Sequence, residues 1–198
     1  MSAVAETTEK ILNAAAQLFA ERGYAATTTR LIAERAGVNE VTIFRRFENK
    51  AGVLRALGER FAEQSTARAM QALPDPENVE ATLLAIARNE IEGSIENGGV
   101  ALRLAFDART VPEVAELLGE GPRANLEGLA SYMADRQAAG QLRADLDPVV
   151  MAEAFASITS SFVMYRTVMG LMDSPSDALA GTSVEQLVDL FFNGATAR

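Results

Sequence analysis

The 198-residue chain is acidic, since 27 Asp and Glu residues against 18 Lys and Arg residues give it a formal net charge of −9 at pH 7. It contains no cysteine and no histidine, which excludes disulfides and thiolate metal sites and removes the usual catalytic triads and most zinc sites. We therefore expect no catalytic residue, no metal site and no cofactor, and an enzyme is disfavoured.

The charges are distributed unevenly along the chain. Residues 1–60 carry nine Lys and Arg against seven Asp and Glu, whereas residues 61–198 carry nine against twenty. A basic head on an acidic body is typical of two modules with different partners. The N-terminus lacks the pattern of a signal peptide, and Glu153 and Arg166 interrupt the apolar stretch 149–172. We therefore expect a cytoplasmic protein that does not span a membrane.

Apolar residues at helical spacing, separated by Gly, Pro and Asn residues, predict helices along the whole chain. The first predicted helix spans about 6–22, and the second begins at the threonines 27–29 and ends at about 36. The others span about 38–47, 50–73, 77–97, 99–109, 112–118, 121–139, 147–172 and 183–195. The predicted fold class is therefore all-α, with about nine to ten helices. We divide it into an N-terminal three-helix domain (1–49) and a C-terminal helical bundle domain (50–198), with helix 50–73 as the connector.

The second and third helices have the pattern of a helix-turn-helix. Ala33 lies four residues before Gly37, which suits a close helix crossing followed by a sharp turn. Ile32, Ala36, Val38 and Ile43 provide buried positions, and the exposed side of the third helix presents Asn39, Glu40, Val41, Thr42, Arg45 and Arg46. Such a helix enters the major groove of DNA, although a helical hairpin with a solvated charged face has the same pattern.

Two flanking features favour DNA binding over that alternative. The threonines at 27–29 place hydroxyl groups and free backbone N–H groups at a helix N-terminus, where phosphate binds well. Lys50 lies in the first turn of the following helix, where it can hold a second phosphate.

The segment TEKILNAAAQLFAERGYAATTTRLIAERAGVNEVTIFRRFENKAGVL (8–54) resembles the N-terminal DNA-binding domain of TetR-family transcriptional regulators. The resemblance lies in the patterns A-x-x-L-F-x-x-x-G-Y-x-x-T-T, I-A-x-x-A-G-V and F-x-x-F-x-N-K. It implies a helix-turn-helix from Thr28 to Phe47, phosphate contacts from Thr28 or Thr29 and from Lys50, and groove contacts from residues 39–46.

Four positions depart from the family pattern. Phe44 stands where tyrosine is usual, Arg46 where histidine is frequent, Glu40 where lysine is common and Val41 where glycine is common. Arg45 or Arg46 is a candidate to bind guanine or the backbone, Glu40 to accept from cytosine, and Val41 to touch a thymine methyl group. We expect Phe44 and Phe47 to anchor the helix to the small core, although Phe44 could instead touch thymine or sugar. The expected DNA contacts are Thr28, Thr29, Asn39, Glu40, Val41, Thr42, Phe44, Arg45, Arg46 and Lys50.

The C-terminal part of the body has the apolar pattern of a dimer interface. Helix 147–172 carries an apolar stripe that ends at Tyr165, Met169 and Met172, beside a small-residue stripe of Ala154, Ser157 and Ser161. A pair of core helices within one chain has the same pattern. A three-helix head reads few base pairs, so specificity requires two heads, and the resemblance implies a four-helix bundle between partner chains. The expected interface consists of Met151, Phe155, Ile158, Leu187 and Phe191.

The resemblance also implies a pocket for a small, mainly apolar ligand whose binding weakens operator binding. Its expected lining is Leu84, Ile91, Leu102, Phe106, Met133, Phe162 and Tyr165. Arg103, Asp107, Tyr132 and Arg166 are possible polar contacts, although Arg103 and Asp107 also have the spacing of a helix-face salt bridge.

The sequence therefore predicts a homodimeric, ligand-responsive regulator that binds double-stranded operator DNA, most simply a repressor. A protein-binding adaptor that kept the helix-turn-helix shape is the alternative. An enzyme using carboxylates such as Glu92 and Glu96 is disfavoured, because a solvated helix face explains those two residues better.

Overall fold

The computed structural model describes residues 3–71, 77–97, 99–170 and 183–196. These ranges contain nine α-helices and a π-helical turn. The helices are α1 (Ala3–Arg22), α2 (Thr29–Ala36), α3 (Glu40–Phe47), α4 (Lys50–Gln71), α5 (Val79–Glu96), α6 (Val100–Asp107), α7 (Pro112–Ala138), α8 (Pro148–Val163) and α9 (Ser183–Ala195), and the π-helical turn is Met164–Val168. Extended pairing within the described ranges is limited to an isolated bridge between Leu142 and Thr196. The all-α prediction is confirmed.

Two predicted boundaries differ from the structure. The two helices predicted at 112–118 and 121–139 form one helix, α7, because the helix-favouring Leu, Glu and Ala residues around the Gly-Pro segment outweigh its interruption. The helix predicted at 147–172 changes from α-helical to π-helical hydrogen bonding after Val163. Its predicted end, with Met172, lies outside the described residues.

The described chain packs as two compact units. The first consists of Met1–Gln64 and Glu96–Gly119, and the second of Ser65–Ile95 and Glu120–Arg198. The core of the first unit combines α1–α4 with α6 and the start of α7; its buried members include Ile11, Phe19, Ile32, Ile43, Leu57, Val100, Leu104 and Val114. This packing division differs from the functional division at residues 49/50, which stays a prediction.

The second unit has its own apolar core. On α5, Val79, Leu83, Ala87 and Ile91 are buried at four-residue intervals, so they form one face of the helix. The buried face of α8 is formed by Met151, Ala152, Phe155, Thr159, Phe162 and Val163. By length and composition alone, Pro148–Arg166 could cross a membrane, but core helices of soluble proteins pass the same test, and α8 has such a buried face.

Candidate nucleic-acid interface

The turn between α2 and α3 has the geometry that its sequence predicts. Gly37 ends α2 with a φ of 68°, in the left-handed region that favours glycine, and its N–H donates to the carbonyls of Ala33 and Glu34. Ile32 and Ile43 are fully buried and Ala33 is nearly so. Asn39 then caps α3 by accepting the Val41 N–H at 2.9 Å. These contacts hold α3 at a defined angle to α2.

The corner between α3 and α4 depends on Gly52, which the sequence analysis did not single out. Asn49 caps α4 by accepting the Gly52 N–H at 2.9 Å. A Cβ atom on Gly52 would lie only 1.8 Å from the Phe47 carbonyl oxygen, so a larger residue does not fit here without a backbone shift. The signal was present in the sequence as a glycine three residues after the capping Asn49, at a position where the helix pattern would favour alanine.

The outer face of α3 exposes an unusual mixture of apolar and basic side chains. Val41 is 68% exposed, Phe44 is 47% exposed, and Arg45 is also exposed. The expectation that Phe44 anchors α3 to the core is therefore wrong, whereas Phe47 does pack against the core. Asn39, which caps the helix, is exposed, and Thr42 within it is half-buried. The predicted groove-facing residues are thus on an accessible face, with Arg45 as its basic group.

Arg46 does not project outward with Arg45. Its guanidinium donates to the Val4 carbonyl at 3.0 Å and to the Thr8 hydroxyl at 2.9 Å, both on α1. The backbone carbonyl and hydroxyl of α1 hold the Arg46 side chain against that helix, and its predicted DNA contact stays a prediction. Sequence reasoning missed this contact, since Val4 and Arg46 are 42 residues apart.

Lys50 is directed into the protein. Its ammonium group donates to the carbonyls of Tyr24 and Thr27, at 2.8 Å each, and lies 4.0 Å from the centroid of the Tyr24 ring. Burial lowers the pKa of Lys50, opposed by the negative charges of Glu113 and Asp107. Lys50 therefore ties the α1–α2 loop to α4, and its predicted phosphate contact stays a prediction.

The same loop is held from α6. The Asp107 carboxylate accepts the Tyr24 backbone N–H at 2.6 Å. Asp107 and Arg103 both lie close enough to Gly23 that a Cβ there would crowd them. Asp107, a possible polar contact for a ligand, thus supports the helix-turn-helix.

Two predicted phosphate contacts have protein partners. Thr28 is exposed and caps α2, its hydroxyl oxygen accepting the Leu31 N–H at 3.2 Å. The Thr29 hydroxyl donates to Glu40 Oε1 at 2.7 Å. Thr29 and Glu40 were predicted to contact phosphate and base separately, and the structure brings them together.

The predicted dimer residues are mostly turned into the second unit. Met151 and Phe155 are 3% and 1% exposed, so they are buried within one chain and the expectation that they face a partner is wrong. Ile158, Leu187 and Phe191 are half-buried. The accessible side of α8 and α9 carries apolar and small residues instead, among them Val149, Val150, Ala154, Ser157 and Leu190.

The predicted pocket residues fall into both units. Leu102 and Phe106 belong to the first unit, and Phe106 is 54% exposed. In the second unit Ile91, Met133 and Phe162 are buried, Leu84 is half-buried and Tyr165 is exposed. An open cleft of about 590 Å³ in the second unit has a different lining: Glu77, Asn78, Val79, Glu80, Gly140, Gln141, Phe192 and Thr196. The ligand-pocket assignment stays a prediction.

Glu90 is a carboxylate that the sequence analysis did not single out. It accepts hydrogen bonds from Thr159 at 2.6 Å and from Ser160 at 3.0 Å, which join α5 to α8. Burial of its carboxyl group raises the pKa of Glu90, opposed by these two hydrogen bonds. The residue as a whole is exposed to solvent. Glu90 differs from the other acidic residues of α5 because it bonds to α8. That contact depends on how the two helices pack, so the sequence alone does not reveal it.

Two family profiles match the sequence. The profile described as "Bacterial regulatory proteins, tetR family" matches residues 11–57, which include α2 and α3. The profile described as "AefR-like transcriptional repressor, C-terminal domain" matches residues 81–194, more than half of the chain. Together they cover both the helix-turn-helix and the body.

Individual proteins match over nearly the whole length. The HTH-type transcriptional regulator YvkB of Bacillus subtilis (strain 168) is 28% identical over 194 residues, covering 96% of this chain and 98% of YvkB. The ketosteroid transcriptional regulator KstR2 of Mycobacterium tuberculosis matches with a TM-score of 0.74 at 19% identity, over 96% of this chain and 95% of that one. The fatty acid degradation regulator FadR of Bacillus halodurans matches with a TM-score of 0.73 at 20% identity, over 97% of each chain. The two structures share the fold.

Proposed function

The chain belongs to the TetR family of bacterial transcriptional regulators, and we propose that it is a homodimeric repressor that leaves its operator when a small, mainly apolar ligand binds. Regulators of this family bind DNA and are generally not enzymes. We also propose a cytoplasmic location.

The outer face of α3 is the main support for DNA binding. Val41, Phe44 and Arg45 are exposed on one short helix whose two ends are fixed by Gly37 and Gly52. A bidentate arginine recognises guanine, and apolar side chains contact the thymine methyl group. A rigidly held helix with these groups fits a major groove.

The exposed side of α8 and α9 supports a homodimer. Val150 is 56% exposed and Leu190 is 76% exposed. Ala154 and Ser157, exposed on the same side of α8 as Val150, let a partner helix approach closely. Association of two copies through this face would cover the apolar residues and supply the second head that specific binding needs.

A mainly apolar ligand is supported by the body and by the relatives. The buried core of the second unit contains aliphatic and aromatic residues such as Ile91, Met133 and Phe162. Two proteins of the same fold are named for ketosteroids and for fatty acid degradation. Such a ligand lowers operator affinity only if it binds the DNA-incompetent state more tightly than the competent one.

A protein-binding adaptor is the second candidate, because exposed Val41 and Phe44 would also suit an apolar protein partner. Operator binding separates the two functions.

Duplexes selected from a randomised pool by the wild-type protein test the proposal. We expect fluorescence anisotropy to give tighter binding to a selected duplex than to random DNA, with an affinity that falls steeply with salt. Arg45→Ala should cost about 1–3 kcal/mol and relax specificity at one base. The control is Arg123→Ala, which removes an exposed arginine of the second unit. Failure to enrich any duplex would favour the adaptor.

A further inference from the structure

The hydrogen bond between Thr29 and Glu40 joins the first residues of two helices. Thr29 begins α2 and Glu40 begins α3, and the hydroxyl–carboxylate distance is 2.7 Å. Both side chains are half-buried. The carboxylate of Glu40 therefore lies at the N-terminal end of α2 as well as at the start of the reading helix.

This bond removes a donor from the predicted phosphate seat. A threonine hydroxyl has one proton to donate, and that of Thr29 is given to Glu40. Thr28 is different, because its hydroxyl oxygen accepts the Leu31 N–H and so keeps its own proton for another acceptor. Only one of the two hydroxyl groups is thus free to donate to a phosphate.

The bond also places a negative charge where the helix end would otherwise attract an anion. Nearby cations have other main partners: Arg30 pairs with Glu34 at 3.0 Å and interacts with Glu40 only more weakly, and Lys50 donates to the Tyr24 and Thr27 carbonyls. A carboxylate only accepts hydrogen bonds. It therefore opposes phosphate oxygens and the acceptor atoms of guanine and thymine, and it tolerates the amino groups of cytosine and adenine.

We propose that Glu40 is a specificity-determining residue that acts by repulsion, weakening the grip of the protein on DNA unless an exocyclic amino group faces it. The inference rests on the proposed DNA-binding function. Repulsion between the Glu40 carboxylate and a phosphate about 5–6 Å away would lower the DNA-binding constant by a factor of about 3–4 in water. The factor is larger at a lower effective dielectric constant. With two heads per dimer, the effect on random DNA is about tenfold.

The test compares Glu40→Gln with the wild-type protein by anisotropy at low salt. The probes are a random duplex of about 30 base pairs, which spans two half-sites, and a duplex selected by the wild-type protein. Glutamine keeps the shape and can still accept from Thr29 but carries no charge. The matched control is Glu92→Gln, which removes an exposed acidic charge from α5.

We expect Glu40→Gln to bind random DNA about tenfold more tightly than the wild-type protein does. Its affinity for the selected duplex should increase less, so the ratio of specific to random binding should fall. Glu40→Lys should bind random DNA more tightly still, while Glu92→Gln should behave as wild type. Selection with Glu40→Gln should relax the preference for cytosine or adenine at one position per half-site.

Unchanged or weaker binding of random DNA by Glu40→Gln and Glu40→Lys, with helicity and melting temperature as in wild type, would overturn the inference. An equal gain from Glu92→Gln would also overturn it, because the effect would then belong to net charge. A wild-type protein that binds no duplex even at low salt would instead refute the proposed function itself.

Discussion

The ring of Phe155 on α8 meets the ring of Phe191 on α9 edge to face, with centroids 5.1 Å apart and an interplanar angle of 64°. Phe155 is 1% exposed, so this pair belongs to the core of a single chain. On α8 the apolar stripe that suggested a dimer interface turns inward at Met151, Phe155 and Phe162, whereas Tyr165 and Met169 farther along the stripe are exposed. The opposite side, where Val150, Ala154 and Leu190 are exposed, is the more accessible surface for a proposed partner chain.

Leu190→Glu should separate the proposed dimer without unfolding the chain. Leu190 is 76% exposed, so a charge there costs little in one chain but would be buried between two. We expect light scattering after size exclusion to report a monomer with wild-type helicity. Gln64→Glu, which adds the same charge at an exposed position of α4, should leave the dimer intact.

Phe155→Ala should instead destabilise the single chain, unlike Leu190→Glu. The cavity that it leaves in the core should lower the free energy of unfolding by about 3–5 kcal/mol. Urea denaturation at fixed protein concentration measures it. If Leu190→Glu stays dimeric, the exposed face of α9 is not the interface.

Lys50→Met should destabilise the first unit. The methionine keeps the aliphatic stem but leaves the carbonyls of Tyr24 and Thr27 without the donor that they share. We expect the free energy of unfolding to fall by about 1–3 kcal/mol, measured by urea denaturation. Lys10→Met removes an exposed lysine that pairs with Glu6 on its own helix, and its effect should stay below about 0.5 kcal/mol. Wild-type stability of Lys50→Met would contradict the structural role.

The salt dependence of DNA binding then shows whether Lys50 has a second role. A lysine that also holds a phosphate would lower the slope of log K against log salt by about 1 when it is replaced. A purely structural lysine would leave that slope unchanged.

Glu90→Gln should stabilise the protein at neutral pH and flatten its pH dependence. Burial raises the pKa of Glu90 in the folded protein above its ordinary value of 4.5, so the folded state binds a proton more readily than the unfolded state. The contribution of Glu90 to stability therefore increases as the pH falls through the raised pKa toward 4.5, and is lost as the pH rises again.

The difference between Glu90→Gln and wild type, followed by urea denaturation, should thus be largest at neutral pH and smallest near the ordinary pKa. Glu92→Gln, on the exposed side of α5, is the control and should show no such trend. A variant that is less stable than wild type at neutral pH would mean that the charged carboxylate is favourable where it lies.

Gly52→Ala should destabilise the helix-turn-helix although it lies in a helix. A Cβ atom there would lie 1.8 Å from the Phe47 carbonyl oxygen, so the α3–α4 corner must open. We expect a loss of more than about 2 kcal/mol in the free energy of unfolding and weaker DNA binding. Gly128→Ala on α7 meets nothing within 4 Å and should instead gain about 0.5–1 kcal/mol. Equal effects of the two substitutions would contradict the close approach at Gly52.

Local patterns in the chain were enough to locate the helices and the reading helix. Helix spacing and turn residues depend on neighbours within a few positions, so the bounds of α2, α3 and α9 and the left-handed turn at Gly37 follow from them. The boundary inside α7 was misjudged because helix propensity is a sum over many residues, which can outweigh one Gly-Pro segment.

Tertiary packing alone decided which partner each polar or aromatic side chain has. Arg46 could not be assigned to α1, nor Lys50 to two loop carbonyls, because those partners lie 42, 26 and 23 residues away. The inner and outer faces of α8 were exchanged for a related reason: both faces are apolar or small, and which of them is buried depends on where α5 and α9 pack. Spacing along a helix defines its faces, but the contacts between distant segments determine what each face meets.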